Sequence, residues 1–332
     1  MPVRSLRPPA WLLAILSGLL LAPAFPAASW GPLAFGAFVP VLIALVRERR
    51  GFWPSFRLGW LFGFAFFVVL LYWIPRLPPE NVTVPLLLYP ALVLAGLYCG
   101  IYVAAWGGVV GWLARGRPAA IALLAPGFWV PIEIVRSSGV LGFPWGVIGG
   151  SQWTALDWIQ AASIGGVHLL SFLIVLVNGC LAAALLSPGW RRPAWLAGAL
   201  LLMVLPWQWG KGERARWEEA MPMIPTVPVV LIQPNTGYDK WNAERRTAII
   251  TGLVQSTLEA ARVTRDSTMI IWPETAAPTL LKWDEPNMAL VRNAAEVTGR
   301  PLVTGFPDRT LDFPPETGGA ARVRYYNVAG LF

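Results

Sequence analysis

The sequence predicts a multi-pass α-helical membrane domain followed by a partial α/β domain. Two observations support this fold class. Residues 1–210 contain 12 Lys/Arg and 4 Asp/Glu in otherwise apolar, aromatic, Gly- and Pro-rich sequence, whereas residues 211–332 contain 14 residues of each sign. The net charge of +8 therefore lies in the apolar part, as in membrane proteins whose loops carry basic residues. Nucleic-acid binding is disfavoured because it needs clustered basic residues on a soluble face.

Seven hydrophobic runs precede residue 211, and together they predict about seven helices in a domain spanning residues 1–210. They cover residues 11–21, 32–46, 58–74, 84–113, 119–135, 164–186 and 194–210. A membrane-spanning helix needs roughly 20 apolar residues, with a range of about 17–25. The third to seventh runs meet this requirement, and the first two are short. The first run is either a cleaved signal peptide or a short first helix, and we favour the helix because further hydrophobic runs follow at once.

Arginines concentrate in alternate loops, which predicts the orientation in the membrane. The Arg-rich ends hold Arg4, Arg7, Arg47, Arg49, Arg50, Arg115, Arg117, Arg191 and Arg192. Because basic loops stay cytoplasmic, seven crossings place the region after residue 210 on the outer side. In a bacterium with two membranes, this means an inner-membrane protein with a periplasmic soluble domain.

The loop at 137–160 is rich in Gly, Pro and Trp, and two ionisable residues precede it. An ordinary aromatic belt and an ordered loop at headgroup level both explain its composition. Glu133 and Arg136 lie three residues apart on one helix face, so they either pair with each other or serve a function. His168 and Asn178 are expected to make hydrogen bonds between helices.

The remaining sequence alternates between strand and helix patterns after a polar linker at 211–226. Strands are predicted at 227–234, 269–272, 302–306 and 325–332, and helices at 243–265 and 286–298. This alternation is typical of an α/β domain, here spanning residues 227–332. The chain stops inside the last apolar strand, and an unfinished sheet would leave an exposed edge, so we expect the domain to be incomplete.

The run from Met269 to Thr275 contains the strongest candidate site residue. Three apolar residues and Trp272 predict a buried strand, and Pro273 ends its ladder. Glu274 is then held at the carboxyl end of a strand, where α/β folds place catalytic groups. The alternative is a Glu that caps a loop or meets a surface cation.

Cysteine and histidine usage excludes several chemistries from the soluble part. Cys99, Cys180 and His168 all lie in apolar runs, and no other Cys or His is present. A disulfide, a thiolate, a zinc site and a His-based triad are therefore excluded after residue 210. No metal or other cofactor is predicted.

A set of short motifs lies along both parts of the chain: Gly59–Gly63, Tyr72–Ile74, Trp129, Glu133, Arg136, Gly142–Trp145, Ser163–Val167, Ser171–Phe172, Leu231–Asn235, Lys240–Trp241, Ile271–Thr275 and Val303–Gly305. In these motifs and their order the chain resembles the apolipoprotein N-acyltransferases, bacterial membrane enzymes of the carbon–nitrogen hydrolase (nitrilase) superfamily. The resemblance spans almost the whole chain. It implies a nitrilase-like αββα domain after the membrane part.

The resemblance also implies a reaction: a phospholipid acyl chain passes through a Cys thioester to the amino group of a diacylglyceryl-cysteine apolipoprotein. Glu274 matches the family's general base, and Trp241 matches a Trp implicated in handling lipid substrate. A packed surface Trp is the alternative for Trp241. The family's Lys and Cys are absent, so the chain resembles the first two-thirds of such an enzyme, and we expect no acyl transfer from this polypeptide alone.

Two other functions remain open from the sequence. A membrane-anchored amidase or nitrilase would use the same Glu but would leave seven membrane runs unexplained. A non-catalytic remnant that binds lipid or lipoprotein would fit the missing nucleophile. Dependence on a lipid chain in the substrate separates the acyltransferase from the amidase.

Overall fold

The computed structural model describes residues 8–48, 51–78, 82, 84–266, 268–312 and 322–332. The chain divides into two compact units, Met1–Pro222 and Met223–Phe332. The predicted basic positions Arg4, Arg7, Arg49 and Arg50 lie outside the described residues.

The first unit is helical. Its α-helices are α1 Ala10–Leu21, α2 Ala34–Ala37, α3 Val39–Arg47, α4 Phe52–Leu70, α5 Leu88–Ala114, α6 Pro118–Ser137, α7 Ala162–Leu186 and α8 Arg191–Ala220. Four segments of the described chain are long and apolar enough to cross a bilayer: Phe52–Arg76, Pro85–Ala114, Pro118–Ser137 and Trp158–Leu186. The first two hydrophobic runs form the shorter apolar helices Ala10–Ala24 and Gly31–Arg47. The fold is thus a membrane helical part joined to a small α/β unit.

The seventh run lies in α8, which is not among the four long apolar segments because Pro206 and Gln208 lower its hydropathy. The prediction of a linker from residue 211 was wrong, because this helix continues to Ala220. Pairs at helical spacing explain this extension: Arg214 donates to Glu218 at 2.9 Å and Arg216 donates to Glu213 at 2.7 Å.

Glycines allow the helix backbones of the first unit to approach closely. A Cβ at Gly59 of α4 would lie 2.5 Å from the carbonyl oxygen of Val103 and 3.0 Å from the Cα of Gly107 in α5. Such small-residue contacts replace the hydrophobic driving force that is missing between helices in lipid. In α7, Gly166 has φ +66° and marks a kink.

Asn178 makes the predicted helix-to-helix hydrogen bonds. Its amide oxygen accepts from Phe38 N at 3.0 Å, and its Nδ2 donates to Ala34 O at 2.7 Å. Buried polar groups in an apolar bundle need such partners. The prediction for this residue is confirmed.

The second unit is a four-stranded sheet with two helices. Its elements are β1 Val229–Leu231, α9 Arg246–Val263, β2 Met269–Ile271, α10 Glu285–Thr298, β3 Leu302–Asp312 and β4 Arg322–Leu331. The strand order is β1-β2-β3-β4, with β1, β2 and β3 parallel and β4 antiparallel to β3. Helices α9 and α10 pack against each other, as expected for two successive right-handed crossovers.

The core of the second unit lies between these helices and the central strands. It includes Ile250, Leu253, Ile270, Val291 and Leu302. The predicted third strand ends at residue 306, but β3 continues to Asp312 because β4 pairs with it along its full length. Pro307 is tolerated within it because β2 pairs only with Leu302 and Val303, so β3 is an outer strand at this point.

Candidate active site

Glu274 lies just beyond the carboxyl end of β2, after a strand anchored on both sides. Trp272 is buried, and its indole Nε1 donates to Thr257 Oγ1 of α9 at 2.9 Å. Its backbone N–H donates to Val303 O of β3 at 2.8 Å. The strand is therefore fixed up to the residue before Pro273, and the exposed Glu274 side chain projects from a rigid base.

The backbone after Glu274 is strained and tightly packed. Thr275 has φ +48°, a conformation that a β-branched residue rarely adopts. A Cβ at Gly305 of β3 would lie 3.0 Å from Glu274 Cα and 2.9 Å from Thr275 N. The turn is closed by a hydrogen bond from Ala276 N to Pro273 O at 3.2 Å. Strain of this kind is typical of functional sites, where the surroundings over-determine the geometry.

Asn327 orients the carboxylate. It lies in β4 opposite Pro307, and its Nδ2 donates a hydrogen bond to Glu274 Oε1. A cleft of about 290 Å³ surrounds the pair; it is lined by Trp272, Glu274, Val303, Gly305, Asn327, Val328 and Ala329. A carboxylate that is held by a hydrogen-bond donor on an exposed side chain can accept a proton from an approaching substrate group.

Lys240 and Trp241 lie beside the same turn. Lys240 Nζ donates to Thr275 Oγ1 at 3.2 Å and lies 5.3 Å from the centroid of the Trp241 ring. Trp241 is 45% exposed. The structure therefore connects the two predicted site residues through Lys240 and Thr275, and it leaves the indole available to a ligand.

Sequence reasoning missed the partners that organise Glu274. Asn327 is far away in the chain, and only the register of β4 against β3 brings it to the carboxylate. Lys240 was identified only as part of a motif, without a role. Gly305 carried a signal, because a glycine inside a strand often marks a close backbone approach.

In the first unit, Glu133 and Arg136 each bind the aromatic loop. Arg136 Nη1 donates to Trp145 O at 2.6 Å and also to Phe143 O, while Glu133 Oε1 accepts from Ile148 N at 2.7 Å. The two side chains are almost fully buried, with exposed fractions of 1% and 3%. The sequence left two hypotheses open for Glu133 and Arg136: an ion pair with each other, or a separate function. The ion-pair hypothesis is wrong, because both side chains bind the loop instead.

His168 adds a contact to this network. Its Nδ1 lies 3.5 Å from Glu133 Oε2, so α6 and α7 meet at this carboxylate. Ser171 Oγ in α7 accepts from Gly149 N at 2.9 Å. The loop is therefore ordered by backbone hydrogen bonds to buried side chains of two helices, which a simple aromatic belt does not require.

The two cysteines lie in the helical unit. Cys99 is buried in α5, and Cys180 is buried in α7. Within the described ranges, no group of three or more His, Cys, Asp and Glu side chains could hold a metal ion.

Comparison with known proteins identifies the relatives of this chain. The family model described as the apolipoprotein N-acyltransferase N-terminal domain matches residues 17–180. A protein of Geobacter metallireducens named apolipoprotein N-acyltransferase is 33% identical, covering 97% of this chain and 60% of its own length. Proteins of the same name from Chromobacterium violaceum and Azotobacter vinelandii are 31% identical; they cover 92% and 99% of this chain and 58% and 63% of their own length.

The apolar helices and these bacterial relatives define the class: a bacterial membrane protein with a helical bundle and a partial α/β unit. The chain belongs to the apolipoprotein N-acyltransferase family. It spans about 60% of the length of the curated relatives that it matches.

Proposed function

We propose that this chain provides the membrane body and the general base of an apolipoprotein N-acyltransferase. The observation behind the proposal is the placement of Glu274, which is oriented by Asn327 and lies next to Lys240 and the exposed Trp241. In this role Glu274 accepts the proton of the attacking thiol and returns it to the departing lysophospholipid oxygen as the thioester forms. It then accepts a proton from the acceptor amine and returns it to the Cys thiolate as the amide forms. The acyl donor is a phospholipid, and the acceptor is the free amino group of a diacylglyceryl-cysteine apolipoprotein.

The proposed reaction needs a cysteine nucleophile and an oxyanion-stabilising lysine. Neither Cys99 nor Cys180 lies in the unit that contains Glu274. We therefore propose that residues 1–332 by themselves form no thioester. The unit with Glu274 faces the periplasm, and the helical unit lies in the inner membrane.

Binding of the lipidated acceptor can be tested on the chain as it exists. A peptide that begins with diacylglyceryl-cysteine and carries a photoreactive residue is crosslinked to the purified 332-residue protein in detergent. We expect crosslinks in the second unit near Trp241, and none from the same peptide without lipid. Because loss of an aromatic anchor costs about 1 kcal/mol or more, Trp241→Ala should reduce crosslinking about fivefold.

Trp283→Ala is the matched control. Trp283 is also exposed in the second unit, at 62%, and is also covered by a cation, with Arg309 at 5.3 Å. Crosslinking should be unchanged in this variant. Equal crosslinking by the peptide without lipid would contradict the proposal that the acceptor is a lipidated apolipoprotein. Hydrolysis of a soluble amide that depends on Glu274 would favour an amidase instead.

A turnover assay tests the proposed division of the catalytic residues. With phospholipid donor and diacylglyceryl peptide, we expect no acylated product from the 332-residue chain. Product formation that Glu274→Gln abolishes would show that the chain contains the whole machinery.

A further inference from the structure

A cavity other than the Glu274 cleft lies at the Arg-rich end of the helical unit, away from the loop that Glu133 and Arg136 hold. It has a volume of about 990 Å³ and lies where the α5–α6 and α7–α8 connections meet. The aromatic loop joins the opposite ends of α6 and α7. The cavity is therefore separate from every site described above.

The charge of this cavity is one-sided. Arg117 and Arg191 contribute to its lining, and no acidic residue does. Within the described part of the chain, neither arginine forms an ion pair. Arg115 and Arg192 are close in sequence but do not line the cavity. Arg191 lies over the Trp190 ring at 5.8 Å, but no carboxylate among the described residues neutralises either guanidinium group. Such a pocket favours an anionic ligand, and Arg binds phosphate well because its donors form a planar fork.

Two helix N-termini add to this positive potential. Helix α6 begins at Pro118 and α8 begins at Arg191, and residues of both first turns line the cavity. Neither helix has a side-chain N-cap or an acidic residue in its first turn. Ala120 N and Arg192 N already donate to Arg117 O and Gly189 O at 3.1 and 3.2 Å, so the two helices contribute mainly the positive ends of their dipoles to an anion.

The remaining lining is apolar and aromatic. It includes Leu186, Ala194 and Trp195, together with Trp190, which is 77% exposed. Trp side chains of this kind are enriched at the headgroup level of membranes. A ligand that suits the cavity must combine a phosphate with a hydrocarbon chain.

We propose that an anionic glycerophospholipid binds this cavity, with its phosphate between Arg117 and Arg191 and an acyl chain against the apolar wall. Basic pockets between membrane helices are known to select such headgroups. The bound lipid joins the α5–α6 connection to the α7–α8 connection. It is a structural lipid of the leaflet at the Arg-rich end, and it is independent of the acyl donor proposed above.

The test uses the full chain, stripped of lipid in detergent, with binding of phosphatidylglycerol measured by native mass spectrometry. We expect saturable binding, with phosphatidylcholine binding more weakly. The double variant Arg117→Gln/Arg191→Gln should bind phosphatidylglycerol about tenfold or more weakly, given the usual contribution of an arginine at an anionic surface. Arg117→Lys/Arg191→Lys retains the charge but loses the planar fork, so it should bind phosphatidylglycerol more weakly than the parent and more tightly than the double Gln variant.

Arg115→Gln/Arg192→Gln is the matched control, because it removes the same charge at the same end outside the cavity. It should bind phosphatidylglycerol within about twofold of the parent. Equal losses of phosphatidylglycerol affinity in the two Gln double variants, or no loss in either, would overturn the proposal that the lipid binds between Arg117 and Arg191. Equal affinity for phosphatidylcholine would overturn the anionic preference. Displacement of the lipid by inorganic phosphate at a similar concentration would identify free phosphate, not lipid, as the ligand.

Discussion

At the scale of single residues, the candidate active site depends on contacts around one carboxylate. Asn327 donates to Glu274 Oε1, and Thr275 holds a strained backbone angle against Gly305. These contacts fix the side chain before any substrate is present. Preorganisation of this kind is what a general base requires, because misplacement of a catalytic group costs rate steeply.

Gly305 should be the most sensitive position next to the site. A Cβ there would lie 2.9 Å from Thr275 N, so Gly305→Ala must displace the turn that carries Glu274. We expect a loss of about 1–3 kcal/mol in local stability, as for other overpacked sites. Hydrogen exchange of the full chain, measured in peptides that cover 272–277, should show faster exchange.

Gly252→Ala provides the control for this prediction. Gly252 lies in α9 with open space around its Cβ position. Replacing a glycine in a helix interior should stabilise by about 0.5–1 kcal/mol. Unchanged exchange around residue 274 in Gly305→Ala would show that the turn is not tightly packed.

Asp308 should give the second unit a specific acid sensitivity. Lys282 Nζ donates to its carboxylate at 2.5 Å, and this hydrogen bond holds the pKa of Asp308 below its usual value. The unfolded chain therefore binds the proton more tightly, with a pKa of about 3.9. The contribution of Asp308 to stability is fully present above that pH and is lost as the pH falls through the lower folded pKa.

Hydrogen exchange in β3 tests this pH dependence. After correction for intrinsic rates, protection in the parent should begin to fall as the pH approaches the unfolded pKa of about 3.9 and should continue to fall through the lower folded pKa. The Asp308→Asn variant should show less protection from exchange in β3 than the parent at neutral pH. It should also lose less of that protection when the pH is lowered. Glu296→Gln, at an exposed position of α10, should follow the parent profile, and an identical profile for Asp308→Asn would contradict the assignment.

At the scale of secondary structure, α10 shows how one side chain positions an element. Asp284 is its N-cap: its side chain accepts from Asn287 N at 3.4 Å, from Asn287 Nδ2 at 2.7 Å and from Thr279 Oγ1 at 2.8 Å. Partial burial alone would raise the pKa of Asp284, but these hydrogen bonds lower it overall. The charged cap is thus favoured at the positive end of the helix.

Removing this cap should destabilise the second unit. Asp284→Ala is expected to cost about 1 kcal/mol, within the usual range of about 0.5–2 kcal/mol for a lost N-cap. Asp284→Asn should retain most of the stability, because Asn caps about as well. Urea unfolding followed by hydrogen exchange in α10 measures the difference, and equal losses in the two variants would show that charge matters and capping does not.

At the scale of the whole molecule, the alternation of basic and aromatic ends decides the predicted orientation. Each of α5, α6, α7 and α8 joins the Arg-rich end to the opposite end of the helical unit. The N-terminus of α8 lies at Arg191, and Gly210 packs on Asp157 O, 19 positions further along. At about 1.5 Å per residue this distance is close to the thickness of the hydrocarbon core. Helix α8 therefore reaches both ends despite its lower hydropathy.

Cysteine labelling in intact cells tests this orientation. In a chain with Cys99 and Cys180 replaced by Ala, Thr236→Cys should react with a membrane-impermeant maleimide from the periplasmic side. Arg192→Cys should react only after the inner membrane is permeabilised, because the proposed orientation places the Arg-rich ends in the cytoplasm. The opposite pattern would place Glu274 in the cytosol and would remove the proposed function.

The sequence by itself determined that an apolar helical part is followed by a more charged α/β part. It also determined which segments form helices or strands, and it placed Glu274 at the end of its strand. These features are local: hydrophobic runs, charge segregation and proline positions act within a few residues. Only the tertiary structure decided that Asn327 orients Glu274, that Glu133 and Arg136 bind a loop and not each other, and that two arginines share a cavity. Those contacts join residues that lie far apart in the chain or depend on how a loop folds back, so they follow from strand register and helix packing, which no local pattern specifies.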